Sequence, residues 1–134
     1  MDFSKITYGE RVVDIIDPIE DCSSGIKLTI VCSEDKNVQK LLRKFIDERN
    51  RYAAKGKTVP DEINDEYDVK LIQTSITSWQ WGKHSKTKEE STWRGEKPEL
   101  NPKNLKDILE NFPTFKRQVL EEIKEDKDFL QLSK

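Results

Sequence analysis

Long hydrophobic runs are missing from this chain. No uninterrupted apolar stretch exceeds three residues, far below the ~20 that cross a bilayer, so a membrane helix is not expected. A secretory leader is not expected either: residues 1–16 mix Asp2, Lys5, Glu10, Arg11 and Asp14 with short apolar pieces, and no hydrophobic region forms. No sign of charge dominates. The 24 Lys+Arg stand against 26 Asp+Glu, for a net charge of −2, so no overall basic field favours DNA, RNA or an anionic membrane. These absences predict a soluble intracellular protein.

Residues that carry chemistry are equally scarce. Cys22 and Cys32 are the two cysteines; they could face each other across a hairpin, but without an export signal they read as plain thiols. Together with His84, the single histidine, they fall short of the four ligands of a structural zinc site. His84 sits among lysines in a polar stretch and reads as a solvated loop residue, with no nucleophile paired to it. Gly56-Lys57-Thr58 lacks the upstream glycine of a phosphate loop. The acid pairs Glu89-Glu90 and Glu121-Glu122 are sequence neighbours whose side chains diverge. No catalytic residue, metal or cofactor is expected.

What the chain does have is pattern. Its 134 residues suit one domain, and although 37 % are charged, the apolar residues are clustered as in a folded protein. Charge falls in blocks: residues 34–57 hold eight bases and four acids, and residues 58–82 hold one base and five acids. Such neighbours suggest two helices packed antiparallel with complementary faces, although exposed pairs set register more than stability.

Arg11-Val12-Val13-Asp14-Ile15-Ile16 is β-branched and ends at Asp17-Pro18. Ile26, Leu28 and Ile30 then alternate with Lys27 and Thr29, the period of a half-buried strand. The prediction is a β-hairpin over about 11–32. Two strands alone are marginal in water, so it must lie on a helix or join another chain's sheet. From Ser33 the period becomes helical. Ser33 or Asp35 caps a helix over about 35–56, with Val38, Leu41, Leu42, Phe45 and Ile46 on its stripe and Gly56 at the left-handed position beyond its end. Pro60-Asp61 opens a second helix, about 61–81, in an acidic first turn. Residues 83–99 read as an exposed loop that closes on Trp93. Asn101 caps and Pro102 starts a helix over about 102–112, with Leu100 able to staple to Leu105. Pro113 restarts a last helix over about 114–131, lined by Phe115, Val119, Leu120, Ile123, Phe129 and Leu130. The fold class is α+β, mainly helical, with an N-terminal hairpin.

Aromatic residues stand out in so polar a chain. Trp79, Trp81 and Trp93 fall within fifteen residues, with Phe112, Phe115 and Phe129 further on. Trp79 lies on a helical stripe and is expected in the core. Trp81 and Trp93 either plug the core or present flat apolar anchors to a partner. The basic stretch Lys36, Lys40, Arg43, Lys44 is either a phosphate contact or a solvated face paired with the acidic helix that follows.

The order of these features resembles the tail assembly chaperones of tailed bacteriophages, small proteins encoded between the tail-tube and tape-measure genes. The resemblance rests on five segments. They are the strand pair around an acidic Pro-containing turn (Val12 to Cys32), Glu48-Arg49-Asn50-Arg51 running on to Lys55-Gly56-Lys57, and Ile76-Thr77-Ser78-Trp79. Gly95-Glu96-Lys97-Pro98 leading to Asn101-Pro102-Lys103-Asn104-Leu105 follows, and Leu109 to Val119 with a late Asp126-Lys127-Asp128-Phe129-Leu130 closes the set. The Lys83–Ser91 insertion and Trp81 depart from the pattern. The resemblance implies a chaperone in the host cytoplasm that keeps the tape-measure protein soluble, self-associates, contacts the tail-tube protein, and needs no nucleotide or cofactor. Trp81, Trp93, Phe112, Phe115, Phe129 and Leu130 are the expected partner-binding anchors. The alternatives are a structural tail-completion or adaptor protein, and a small nucleic-acid-binding regulator using the basic helix.

Overall fold

A computed structural model of the chain describes residues 2–125 and 130–132. Strands β2 (Glu10–Asp17) and β3 (Cys22–Val31) form the expected hairpin. Val13 and Ile15 on β2 and Ile26, Leu28 and Ile30 on β3 point inward, while Asp14 and Lys27 face solvent. This alternation fixes which face of the sheet the helices cover. The core is continuous from that face to the C-terminal helices, and it includes Ile72, Leu105, Ile108, Phe115, Val119 and Ile123.

Helix α1 (Lys36–Ala54) is capped by Asp35, whose carboxylate accepts from the amides of Asn37 (2.9 Å) and Val38 (3.3 Å). Gly56, at φ +69°, follows its end as the sequence requires. Helix α2 (Asp61–Ser75) returns beside α1, and the rings of Phe45 and Tyr67 meet at 4.7 Å. The two helices form an arm. Of α1 only Val38 is fully buried, and Ile46 remains 45 % exposed.

Here the expected elements need correction. The helix expected over 61–81 stops at Ser75, and Ile76–Trp81 is a strand, β4, paired antiparallel to β3. The hairpin therefore finds its third strand within its own chain, in the order β2-β3-β4. An irregularity where Ile30 faces Ile76 and Thr29 faces Ser78 leaves Thr77 as an extra residue. That residue puts Ile76, Trp79 and Trp81 toward the core while Thr77, Ser78 and Gln80 stay exposed.

Helix α3 (Pro102–Asn111) begins at Asn101, whose side chain accepts from the Asn104 amide at 2.8 Å. Phe112 breaks the helix, and Pro113 starts α4 (Pro113–Ile123). The helix expected to reach 131 ends at Ile123, and residues 126–129 of that expectation lie outside the described residues. Leu130–Leu132 is a short strand, β5, antiparallel to β1 (Ile6–Tyr8). Gln118 on α4 closes the outer edge of β2. Its amide accepts from the Ile16 N–H (2.8 Å) and donates to the Ile16 carbonyl (2.9 Å), occupying the outer edge of β2 as a neighbouring strand would. Among the described residues no helix is long and apolar enough to cross a membrane.

Candidate partner-binding surfaces

The expected anchors do not form one exposed patch. Trp81 is 6 % exposed and Phe115 is 0 % exposed, so both are core side chains and present no surface to a partner. Strand geometry is the reason for Trp81: in β4 it shares a face with Trp79, and their rings meet edge-on at 5.7 Å. Trp79 packs against the core, half-buried, and donates its indole N–H to the Pro98 carbonyl at 3.0 Å. Trp93 and Phe112 are also half-buried and stack nearly parallel at 6.4 Å. Leu130 is placed by its backbone, opposite Tyr8. Phe129 lies outside the described residues.

The loop over 83–99 is exposed and closes on Trp93, as expected, and it is firmly tied. Asp107 on α3 accepts from the Trp93 indole (2.8 Å), from Arg94 Nε (3.0 Å) and Nη2 (3.1 Å), and from the Asn111 amide (2.9 Å). The Arg94 hydrogen bonds foremost, then that of Trp93, hold its carboxyl below the usual carboxylate range. A carboxylate favoured in the folded state contributes stability above its unfolded-state pKa. That contribution fades as pH falls through the folded-state value. Urea midpoints measured between about pH 5 and pH 3 should therefore fall in the parent chain, and fall less in Asp107→Asn, which has no charge to lose there.

His84 is a correction. It is half-buried and fully engaged, where a solvated residue was expected. Its Nδ1 accepts from the amides of Lys86 and Thr87, both at 3.1 Å, so Nε2 carries the proton and donates to Asp17 Oδ2 at 2.9 Å. Cys22 Sγ lies 3.8 Å from the same Nε2. A thiol is activated by a base that offers it a lone pair, and here neither ring nitrogen has one free. The cluster braces the hairpin tip instead. Asp17 Oδ1 also accepts from the Ile19 amide at 2.8 Å, and the carboxyl is held low by the His84 hydrogen bond first and the Ile19 amide second. Cys22 opens β3 and Cys32 follows its end, too far along one strand to form a disulfide. Among the described residues no group of His, Cys, Asp and Glu is arranged to hold a metal ion.

Among the surface grooves, three bear on partner binding. The first, about 400 Å³, lies between the hairpin tip and residues 84–92, with Ile15, Ile26 and Phe112 among its apolar lining and Asp17, Glu89 and Glu90 among its acids. Ile19 stands at its edge 89 % exposed, beside the partly exposed Ile16. The second, about 220 Å³, runs along the arm between Leu41, Leu42, Phe45, Tyr67 and Leu71. The third, about 760 Å³, separates α2 from α3 and α4. Of the expected anchors, Phe112 lines the first of these grooves, and Trp93 lines a more polar one with Arg94, Pro98 and Asp107. The residue missed was Ile19, and it had a signal: an isoleucine directly after Asp17-Pro18, in a turn where burial is not available. Comparison with protein-family models, with curated proteins and with solved structures gives no match for this chain.

Proposed function

We propose that the chain is a non-enzymatic tail assembly chaperone that binds the tape-measure protein of a tailed bacteriophage and keeps it soluble in the host cytoplasm until tube subunits enclose it. The observation that carries this reading is the hairpin-tip groove. Ile19, Ile16 and Phe112 offer apolar contact there within an acidic surround. A long helical partner with an exposed apolar stripe flanked by bases meets such a groove through the ordinary helix-in-groove mode. Shallow grooves suit modest binding by many copies along one chain. The resemblance in segment order supports the same reading, and the engaged state of His84 gives no competing reaction to explain.

Co-expression with the tape-measure protein is the test. The tape-measure protein is expected in the soluble fraction only when this chain is present. Ile19→Asp should weaken the pairing by roughly 10- to 100-fold, since burying one isoleucine side chain is worth about 1.5–3 kcal/mol. Equal solubility with and without the chain would sink the proposal. A structural tail component is separated by mass spectrometry of purified virions, from which a chaperone should be absent.

A further inference from the structure

We propose that the hairpin-tip groove takes an apolar helix bordered on both sides by arginines, whose guanidinium groups displace the chain's own Lys86 and Lys97 from Glu20 and Glu90. This rests on the reading of that groove as the partner's seat, and it follows from how the groove's acids are already used. Asp17 is committed to His84 and to the amides of Ile19 and Glu20. Glu20, exposed in the hairpin turn, pairs with Lys86, and Glu90 in the opposite wall pairs with Lys97. The Lys97 hydrogen bond, foremost, holds the Glu90 carboxyl below the usual carboxylate range. Glu89, exposed beside Glu90, makes no ion pair among the described residues.

Both lysines therefore stand where the bases of a partner would. Lys86 belongs to the 84–92 wall and reaches across to the hairpin turn, so one rim of the groove is already bridged by an ammonium group. Both lysines and both carboxylates are exposed, and exposed pairs of this kind are individually weak. They can be exchanged without disturbing the fold, because other bonds hold the walls together. His84 donates to Asp17, and the Ser85 amide and hydroxyl both donate to the Ser23 carbonyl, at 3.1 and 3.0 Å.

The exchange decides which base the occupant carries. An incoming lysine replaces one ammonium by another and gains nothing at Glu20 or Glu90. An arginine gains, because its planar fork donates two parallel hydrogen bonds to one carboxylate where an ammonium makes a point contact. The chain shows that geometry where the 83–99 loop meets α3: Arg94 grips Asp107 through Nε at 3.0 Å and Nη2 at 3.1 Å, one bond to each carboxylate oxygen. Acids stand on both sides of the groove, Glu20 in the turn and Glu89 with Glu90 opposite, so bases are needed on both flanks of the stripe that meets Ile16, Ile19 and Phe112. An acidic helix is disfavoured, because the lining carries Asp17, Glu89 and Glu90 and no lysine or arginine.

The probes are three synthetic helical peptides of about 20 residues, each with one leucine stripe and with arginine, lysine or glutamine at the flanking positions. Fluorescence anisotropy reads their binding to the full chain at about 150 mM salt. The arginine peptide is expected to bind about tenfold tighter than the lysine peptide, and the lysine peptide within about threefold of the glutamine one. Lys86→Ala with Lys97→Ala should tighten the lysine peptide by about three- to tenfold, since Glu20 and Glu90 are then open. Glu20→Gln with Glu90→Gln should bring the arginine peptide to within about threefold of the lysine one. All four positions are exposed, and urea midpoints check that each variant keeps its fold. Binding that needs Ile19 but is equal for arginine and lysine, or unaltered by loss of the two lysines, overturns the exchange and leaves the groove reading standing. If no peptide binds, or if Ile19→Asp leaves binding unchanged, the groove reading fails and the exchange with it.

Discussion

Replacing Phe115 by alanine is expected to lower the free energy of unfolding by about 3–5 kcal/mol. Its ring is wholly buried at the first turn of α4, 6.4 Å from the centre of the Phe112 ring and within the core that unites the sheet with α3 and α4. Deleting it removes the transfer energy of a large side chain and leaves a cavity that helix and sheet cannot both move to fill. A domain of this kind has only about 5–15 kcal/mol in hand, so the urea midpoint should fall by a large fraction. Phe112→Ala is the informative comparison. Phe112 is half-buried, and its loss should cost clearly less stability while weakening any ligand of the hairpin-tip groove. Should Phe115→Ala leave the midpoint unchanged, the packing described for α4 is wrong.

A single methyl group at Gly25 is expected to cost about 2–4 kcal/mol, for a different reason. Gly25 has φ +85°, where a side chain is strained, and a Cβ there would lie 2.4 Å from the carbonyl oxygen of Lys83. The obstruction is backbone and cannot rotate aside. The Gly82 amide donates to the Gly25 carbonyl at 2.8 Å, and Ser91 donates in turn to Gly82 at 2.9 Å, so the displacement would spread into the segment that lines the hairpin-tip groove. Gly56→Ala provides the control. It shares the positive φ, at +69°, but nothing lies within 4 Å of the added carbon, so only the conformational part of the cost, about 1 kcal/mol, should appear. Chemical denaturation of the two variants separates strain from collision.

The parts of this fold that sequence reveals are those decided by short-range chemistry. Asp35, Asn101, Pro102 and Gly56 act on amides and dihedral angles a few residues away, and each holds the position its type predicts. The alternation of Ile26, Leu28 and Ile30 is likewise local. Strand β4 was not legible because Ile72, Ile76 and Trp79 continue a helical spacing, whereas in a strand Ile76 and Trp79 share a face only through the extra residue Thr77, and that choice is made by pairing with β3, far away in the chain. That choice also decides the tryptophans. A helix would turn Trp79 and Trp81 to different sides, whereas a strand sets them on one face and carries Trp81 inside. The grooves depend on how distant segments lie together, which local pattern does not show; the same packing puts Trp81 and Phe115 in the core and leaves Phe112 half-buried at a groove.

The arm is inserted between two neighbouring strands of one sheet: β3 leads into α1, and α2 leads back into β4. This ordering has a kinetic consequence. The β3–β4 ladder joins residues separated by the whole arm, a closure whose entropic cost is reduced if the helical hairpin has already brought its two ends together. Early docking of Phe45 against Tyr67 would thus act as the clasp that lets the sheet zip up, and weakening that contact should slow refolding.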